Sequence, residues 1–469
     1  MSRAAWRWWR GCFRTIVDVL SQGIGRPCRL PRRGAVHRTG EGRLAASRHA
    51  ACTNGGSPGP RCTGSGPAGD HGGNKGYIPL VGDSVRHFPG KPAASALLAL
   101  LCAFVPPAAP APVAEPPALS QARPDTALTE AFRGYALHGT APAHWTGGDS
   151  TYSVPTADGE LWVFSDTFLG TVHPDGSRAP APFVHNSFVL WNRSGPHTAV
   201  GHDPDGAPAS LVAPASGWYW ARAGTTDGPG TVEVVYARYE TTGTGPLDIA
   251  WRGNALARFR TGRLGRPVSV TPLPSSARIA WGAWLFRQDG HIYVYGTERA
   301  PSGGNFLHLA RVTGTDLRRP WQYRTARGTW SAREADAARL TGPGGTALRT
   351  ADELSVVRHG PWYALLTQRT DQPFSAELQV AWSRTPFGPF GNARTVYRAP
   401  EAGPYGTYRN ANVIAYNPHE HPELERRGEL VVSYNVNSLV PQDVIRRADL
   451  YRPRFLRLTL TPPGPRHGA

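Results

Sequence analysis

Three acidic residues stand where their neighbours suggest a strand beginning or ending. Asp149 lies in Trp145-Thr-Gly-Gly-Asp-Ser-Thr-Tyr-Ser-Val-Pro, Glu353 in Arg349-Thr-Ala-Asp-Glu-Leu-Ser-Val-Val, and Asp166 in Val163-Phe-Ser-Asp-Thr-Phe-Leu-Gly. A pair of carboxyl groups brought to one cavity can divide acid and base work, one giving a proton to a leaving oxygen and the other activating water or attacking carbon. Two glycines before Asp149 are expected to allow backbone conformations closed to other residues and so aim a short carboxylate inward; a plain Asx turn is the alternative. Alternation puts Glu353, Ser355 and Val357 on one strand face, with Asp352 pointing the other way toward a turn. A glutamate opening an otherwise apolar strand is poorly explained by packing, and partial burial would raise its pKa as a general acid requires; a solvated rim glutamate is the alternative. Asp166 is expected to be catalytic or orienting, with a structural strand-end aspartate as the alternative. Glu298, in Tyr295-Gly-Thr-Glu-Arg, is a comparable strand-end acid with Arg299 as an ordinary surface partner.

Polar and aromatic residues with ligand-binding potential gather at similar places. His185-Asn186 and the run Tyr405-Gly-Thr-Tyr-Arg-Asn-Ala-Asn, which contains Tyr408, Asn410 and Asn412, could hydrogen-bond sugar hydroxyls. Trp218, Trp220, Trp281 and Trp284 could stack on sugar faces, or could serve only to pack sheets together. His419 and His421 are two apart in a Pro-containing stretch, a weak zinc signal, so no metal is expected. No cofactor is expected either: the chain beyond residue 115 has no Gly-x-Ser-x-Gly elbow, P-loop or dinucleotide fingerprint. All five cysteines (Cys12, Cys28, Cys52, Cys62, Cys102) precede residue 115, which excludes thiolate and disulfide chemistry after it.

The elements that must hold these groups are short runs rich in Val, Tyr, Trp, Phe and Thr, bounded by Gly, Pro and Asp, with connectors such as Gln288-Asp289-Gly290. Helical periodicity never persists; Ser331–Leu340 is its best and short candidate. The strands recur in five groups that open at Gly148–Val154, Gly217–Arg222, Ile279–Phe286, Glu353–Arg358 and Arg409–Tyr416. Five groups predict an all-β fold, a five-bladed β-propeller of four-stranded blades, with a β-sandwich as competitor. In a propeller the first strand of each blade lines the axis, so the openings supply the central pocket. Phe132–Leu137 is expected as the strand that completes the blade ending at Arg454–Leu460.

Charge and the N-terminal third limit the function classes. Residues 1–84 carry 12 Arg and one Lys against four acids, whereas residues from 115 on carry 36 Arg against 30 acids with no dense basic run. The high isoelectric point is thus mostly N-terminal, and nucleic-acid binding is not expected. Arg86, His87 and Lys91, the apolar run Ala93–Val105 and small residues through Ala114 have the order of a secretory signal. Thirteen apolar residues span about 20 Å, too short for a bilayer core. Cleavage would leave no membrane anchor. The expected organisation is a disordered upstream extension over 1–84 (with translation starting near Val81 or Val85), a signal segment over 85–114, a Pro/Ala-rich linker over 115–129, the propeller over 130–462 and a tail over 463–469. A secreted monomer follows.

Several of these stretches together resemble a family of secreted bacterial propellers of the domain-of-unknown-function 4185/5005 type. They are Gly147-Gly-Asp-Ser-Thr-Tyr-Ser-Val-Pro, Leu161-Trp-Val-Phe-Ser-Asp-Thr-Phe-Leu-Gly, His185-Asn-Ser, Tyr295-Gly-Thr-Glu, Asp352-Glu-Leu-Ser-Val-Val, His421-Pro-Glu-Leu and Val432-Ser-Tyr-Asn-Val-Asn-Ser. That family is similar to five-bladed furanosidases of the arabinanase and fructosidase types and to mycobacterial endo-D-arabinanases. The resemblance implies glycosidic hydrolysis, with Asp149 as base or nucleophile and Glu353 as general acid. It also implies a third carboxylate on an intermediate blade, but the third opening here reads Ile279-Ala-Trp-Gly-Ala-Trp, leaving Asp166 or Glu298 as substitutes. The expected partner is a furanose-containing or other extracellular polysaccharide or cell-wall glycan. A non-catalytic glycan-binding propeller and a protein-interaction scaffold are the alternatives.

Overall fold

The computed structural model describes residues 115–461 other than 120–121, 244–247 and 427; the expectations for 1–84, 85–114 and 463–469 fall outside the described residues. Five larger antiparallel sheets follow one another along the chain, beside a three-stranded sheet of Trp145–Gly148, Thr167–Leu169 and Phe183–Val184 and a two-stranded one of Gly201–His202 and Pro208–Ala209. The first is built from Tyr152–Thr156, Gly159–Phe164, Ser187–Asn192 and Gly195–Ala199. The second uses Trp218–Thr226, Thr231–Thr241, Ile249–Arg260 and Ser269–Leu273. The third uses Ala280–Gln288, His291–Arg299, Asn305–Thr313 and Trp321–Arg324, extended by Trp330–Ser331. The fourth uses Ser355–His359, Trp362–Gln368, Glu377–Ser383 and Gly391–Arg398. Val413–Glu420, Glu429–Ser438 and Pro453–Thr461 make the fifth. Each predicted opening thus contains or abuts the first strand of a sheet.

The hairpins have local causes. Asp289 and Gly290 both take positive φ, 50° and 72°, the two-residue turn whose twist matches the strands it joins. Along the strands, inward Val, Leu and aromatic side chains build one apolar cluster shared by the first four sheets and a second under the fourth and fifth. Small residues let neighbouring sheets approach. A side chain on Gly282 would begin 2.6 Å from Val235 Cγ1, and one on Gly224 would begin 2.8 Å from Val154 Cγ2. First strands of successive sheets pack side by side. The fifth returns to the first, where the Tyr152 and His419 rings lie 4.0 Å apart and Ser153 Oγ is 2.6 Å from His421 Nδ1. The fifth sheet thus meets the first as well as the fourth.

Two local expectations are corrected. Phe132–Leu137 is no strand: it lies in the helix Thr126–His138, whose N-cap Asp125 accepts a hydrogen bond from Leu128 N at 3.0 Å. Phe132 and Ala136, one helical turn apart, are buried, and Phe132 packs on Trp145, Trp162, Trp191 and Phe455. The fifth sheet is completed instead from residues expected to be linker, since Ala118–Leu119 and Arg123–Pro124 both pair with Pro453–Thr461. Ser331–Leu340, the helical candidate, contains only the 3-10 turn Glu334–Asp336.

Candidate active site

The first, second, fourth and fifth sheets and their loops, but not the third, line a cavity of about 270 Å³, just below the roughly 300–1,000 Å³ usual for ligand pockets. Asp149, Asp166 and Glu353 all line it. The segment carrying Asp149 is anchored from both sides: Asp149 N donates to the Asp166 carbonyl at 3.2 Å, and Ser165 N donates to the Asp149 carbonyl at 3.1 Å. The two acids thus come in register from paired chain segments. Immediately after Asp149 the backbone turns through Ser150 (φ 70°) and Thr151 (φ 56°), left-handed conformations that cost energy for residues with a side chain and often mark functional sites. The expected role of the preceding glycines is corrected. Gly147 and Gly148 are not the positive-φ residues; they are needed for close approach, since a Cβ on Gly147 would sit 2.1 Å from the Tyr451 carbonyl oxygen.

The Tyr416 hydroxyl donates to Asp149 Oδ2 at 2.9 Å, and Tyr451 is a second hydroxyl partner. Burial, reinforced by the neighbouring Asp166 charge and opposed by these hydroxyls, pushes the Asp149 pKa up to about 7. Glu353 is buried. Its Oε1 accepts from Ser150 Oγ at 2.7 Å, and its Oε2 lies 3.3 Å from His419 Nε2. Burial holds this carboxyl well above the usual range although Arg222 pulls the other way. Burial likewise holds His419 well below the ordinary imidazole range, so the ring beside Glu353 is neutral. Two carboxyl groups inclined to keep a proton near neutrality, one with phenol donors and one with a serine donor, can divide acid and base roles.

Asp166 has its own support. Its Oδ1 accepts from Trp220 Nε1 at 2.8 Å and lies 2.7 Å from His185 Nδ1. His185 in turn stacks on Trp218, with centroids 5.4 Å apart and planes 25° apart. Trp218 lines the cavity but is only 4 % exposed, so its ring serves largely as wall.

The other predicted residues lie elsewhere. Asn186 is fully buried and structural: Nδ2 donates to the carbonyls of Val212 and Tyr219 at 2.9 Å each, and Oδ1 accepts from Val212 N at 2.8 Å. Trp281 is buried within the third sheet, its Nε1 donating to Glu334 at 2.8 Å. Glu298 pairs with Arg339 at 2.8 Å and His308 at 3.0 Å, outside the cavity. Tyr408 donates to Asp449 and accepts from Arg454, both at 2.9 Å. Asn410 donates to Asp443 at 2.7 Å and its Oδ1 takes Asn412 N at 2.9 Å, a loop brace rather than a pocket wall. Asp352, expected to point away, lines the cavity and pairs through Oδ2 with the buried Arg222 at 2.9 Å.

Sequence reasoning missed Arg222, Tyr416, Tyr451, Asn437 and Phe374, all in the cavity wall. Arg222 and Tyr416 end predicted openings, so a reading of every polar residue there would have found them. Tyr451 and Phe374 lie in loops between strands and carry no such signal.

The domain of unknown function DUF5005 matches the chain over residues 133–460. No curated protein matches it. Among solved structures, a candidate hydrolase from Bacteroides ovatus is similar at 21 % identity and a TM-score of 0.58, over 72 % of this chain and 90 % of that one. A GH43_1 enzyme from Xanthomonas citri, solved with xylotriose, aligns at 13 % identity and a TM-score of 0.38, over 71 % and 92 % of the respective chains. A protein of unknown function from Dyadobacter fermentans aligns at 11 % identity and a TM-score of 0.40, over 68 % and 96 %.

Proposed function

The chain belongs to the DUF5005 family, and on that premise we propose that it is a secreted glycoside hydrolase acting on an extracellular, furanose-containing polysaccharide of the arabinan type. The five sheets are read as the blades of a five-bladed propeller, and the cavity at its mouth as the site of hydrolysis. One observation carries the reading: Asp149 and Glu353, some two hundred residues apart in sequence, line the same cavity. Each is held by hydroxyl donors rather than neutralised by a direct ion pair to Arg or Lys among the described residues. The hydrolase description of the Bacteroides ovatus protein agrees with this reading.

In the reaction, protonated Glu353 gives its proton to the glycosidic oxygen as the bond to the anomeric carbon breaks. Ionised Asp149 either takes a proton from the attacking water or attacks that carbon itself. Asp166, fixed by Trp220 and His185, raises the basicity of Asp149 through charge repulsion. Trp220 and Phe374 offer faces on which a sugar ring can lie, next to the polar groups of Arg222 and Asn437.

The test is digestion of arabinan, and of mixed wall polysaccharides as comparison, followed by reducing-end release. The expected result is product from the wild type and at least a hundredfold less from Glu353→Gln and Asp149→Asn. Equal product from all three overturns the roles of Asp149 and Glu353, and no product from any substrate while the wild type still binds the polysaccharide overturns hydrolysis.

A further inference from the structure

At the opposite end of the first strand of the fourth sheet from Glu353 lies a second set of acids, unrelated to the cavity. His359 ends that strand, and Glu420 ends the first strand of the fifth sheet. Glu425 follows the 3-10 turn Pro422–Leu424 just beyond. One ligand atom from each of His359, Glu420 and Glu425 lies within 4.8 Å of the other two. His359 Nε2 is 2.6 Å from Glu420 Oε1. Glu420 is fully buried; its Oε2 and the buried Oε1 of Glu425 take no donor from any other described group, and the two carboxyl groups bond to each other through a shared proton, the place a cation would take.

Charge sharpens the point. Glu423 and Glu160 sit beside this set, Glu423 accepting from Ser153 and raising the proton affinity of both Glu160 and Glu425. Four carboxyl groups are therefore gathered together, Glu420 fully buried and the other three half-buried. Among the described residues none of the four makes a hydrogen bond or ion pair to Arg or Lys. The other acidic trio, Asp227, Glu233 and Asp316, is different: Arg258 reaches Asp227 at 2.6 Å and Glu233 at 2.9 Å. Among the described residues, one cluster contains its cation and the other has none paired to it.

We infer that His359, Glu420 and Glu425 form a binding site for a divalent metal ion of the zinc type. One imidazole nitrogen and two carboxylates suit a first-row ion of low coordination number, whereas calcium calls for six to eight oxygens. The ion supplies the missing positive charge and joins the fourth sheet to the fifth, next to the seam where Ser153 and His421 tie the fifth to the first. Its place at the far end of the strand from Glu353 makes it a structural ion.

The test uses the full chain, stripped with chelator and dialysed at neutral pH, alongside Glu425→Gln and His359→Ala. Zinc chloride alone is titrated calorimetrically, and melting temperature is followed with and without it; cobalt(II) absorption separates this site from cysteine ligands near the N-terminus. The wild type is expected to bind one zinc ion more than either variant. Its melting temperature should rise by about 4 °C at a hundredfold excess over Kd, while the variants do not respond. Circular dichroism of the metal-free variants matching metal-free wild type keeps the comparison sound. If one variant does not fold, the other carries the test. Zinc stoichiometry equal in wild type and folded variants, calcium bound in preference to zinc, or a melting temperature indifferent to zinc would each overturn the site and leave a proton shared between Glu420 and Glu425.

Discussion

Ser150 Oγ donates to Glu353 Oε1 at 2.7 Å, so the residue next to one proposed catalytic carboxylate positions the other. The bond joins the loop before the first sheet to the opening of the fourth. Ser150 Oγ also lies 2.9 Å from Ser165 Oγ, and the Ser165 hydroxyl donates to the Ala221 carbonyl at 3.1 Å, which extends the link to the second sheet. Ser150→Ala removes the donor while leaving the backbone bonds of its neighbours in place. The expected loss in kcat is roughly tenfold, corresponding to about 1.4 kcal/mol, with KM nearly unchanged because the bond holds a reacting group rather than the sugar. Steady-state kinetics on soluble oligosaccharides measures this. A drop confined to KM would show that Ser150 touches substrate instead.

The pH profile follows from the two carboxyl groups. Asp149 must be ionised and its pKa is raised to about 7; Glu353 must be protonated and its pKa is raised well above the usual range. Activity therefore increases as pH passes through about 7 and decreases at higher pH as Glu353 ionises. Asp149 affects stability with the opposite sign. Between its unfolded pKa of 3.8 and about 7 the folded chain binds more protons than the unfolded one, so its contribution to stability is lost as pH rises through that window. Initial rates and melting temperatures measured at each pH in one buffer series check both limbs. An acidic limb near 4 would remove the basis for Asp149 as a desolvated base.

Asp166→Asn separates charge from position. Asparagine can still accept from Trp220 Nε1, but the repulsion that raises the Asp149 pKa disappears. The acidic limb of kcat/KM is expected to move to lower pH. A purely structural Asp166 would lower activity at every pH and leave the limb where it is.

Asn186 is predicted to matter for folding and not for binding. Its amide satisfies the carbonyls of Val212 and Tyr219 and the Val212 N–H between the first two sheets, the Val212 bonds fully buried and the Tyr219 bond partly so. Asn186→Ala orphans those groups and should cost roughly 2–4 kcal/mol, from about 1–3 kcal/mol for each buried group left unpaired less some relaxation. Urea denaturation reads the loss. KM of the remaining folded enzyme should be unchanged, and a raised KM would return Asn186 to the pocket.

The distinction between Asn186 and its neighbour His185 marks where sequence reading stopped. Strand grouping was legible because alternation and Gly-centred turns are local, and all five first strands appeared at their predicted openings. The acids Asp149, Glu353 and Asp166 were legible because a carboxylate beside small residues at a strand end has few packing explanations. The polar run containing Tyr408, Asn410 and Asn412 has the same composition as a pocket wall, but its partners Asp443, Asp449 and Arg454 come from the chain's last forty residues. No local pattern shows such pairing. The helix over residues 126–138 was hidden for a different reason: its buried face is a single turn, Phe132 and Ala136, too short to stand out from a Pro/Ala-rich approach.

Two glycines test whether the site depends on close backbone approach. A methyl group on Gly147 would lie 2.1 Å from the Tyr451 carbonyl oxygen and 2.6 Å from Arg178 Nη2. Arg178 is itself buried, donating to the Val444 and Ala448 carbonyls at 3.1 and 2.9 Å, so neither neighbour can yield cheaply. Tyr451 supplies a hydroxyl to Asp149, and pushing its backbone outward draws that hydroxyl away. Gly147→Ala should therefore destabilise the fold by several kcal/mol, in the range of overpacked cores, and lower kcat of whatever folds. Gly134, in the helix Thr126–His138, has nothing within 4 Å of a built Cβ. There alanine should be neutral or stabilise by up to about 1 kcal/mol through helix propensity alone. Paired chemical denaturation of Gly147→Ala and Gly134→Ala checks the contrast. Equal stability of the two variants would mean that the Asp149 loop does not rest on the Tyr451 backbone as described.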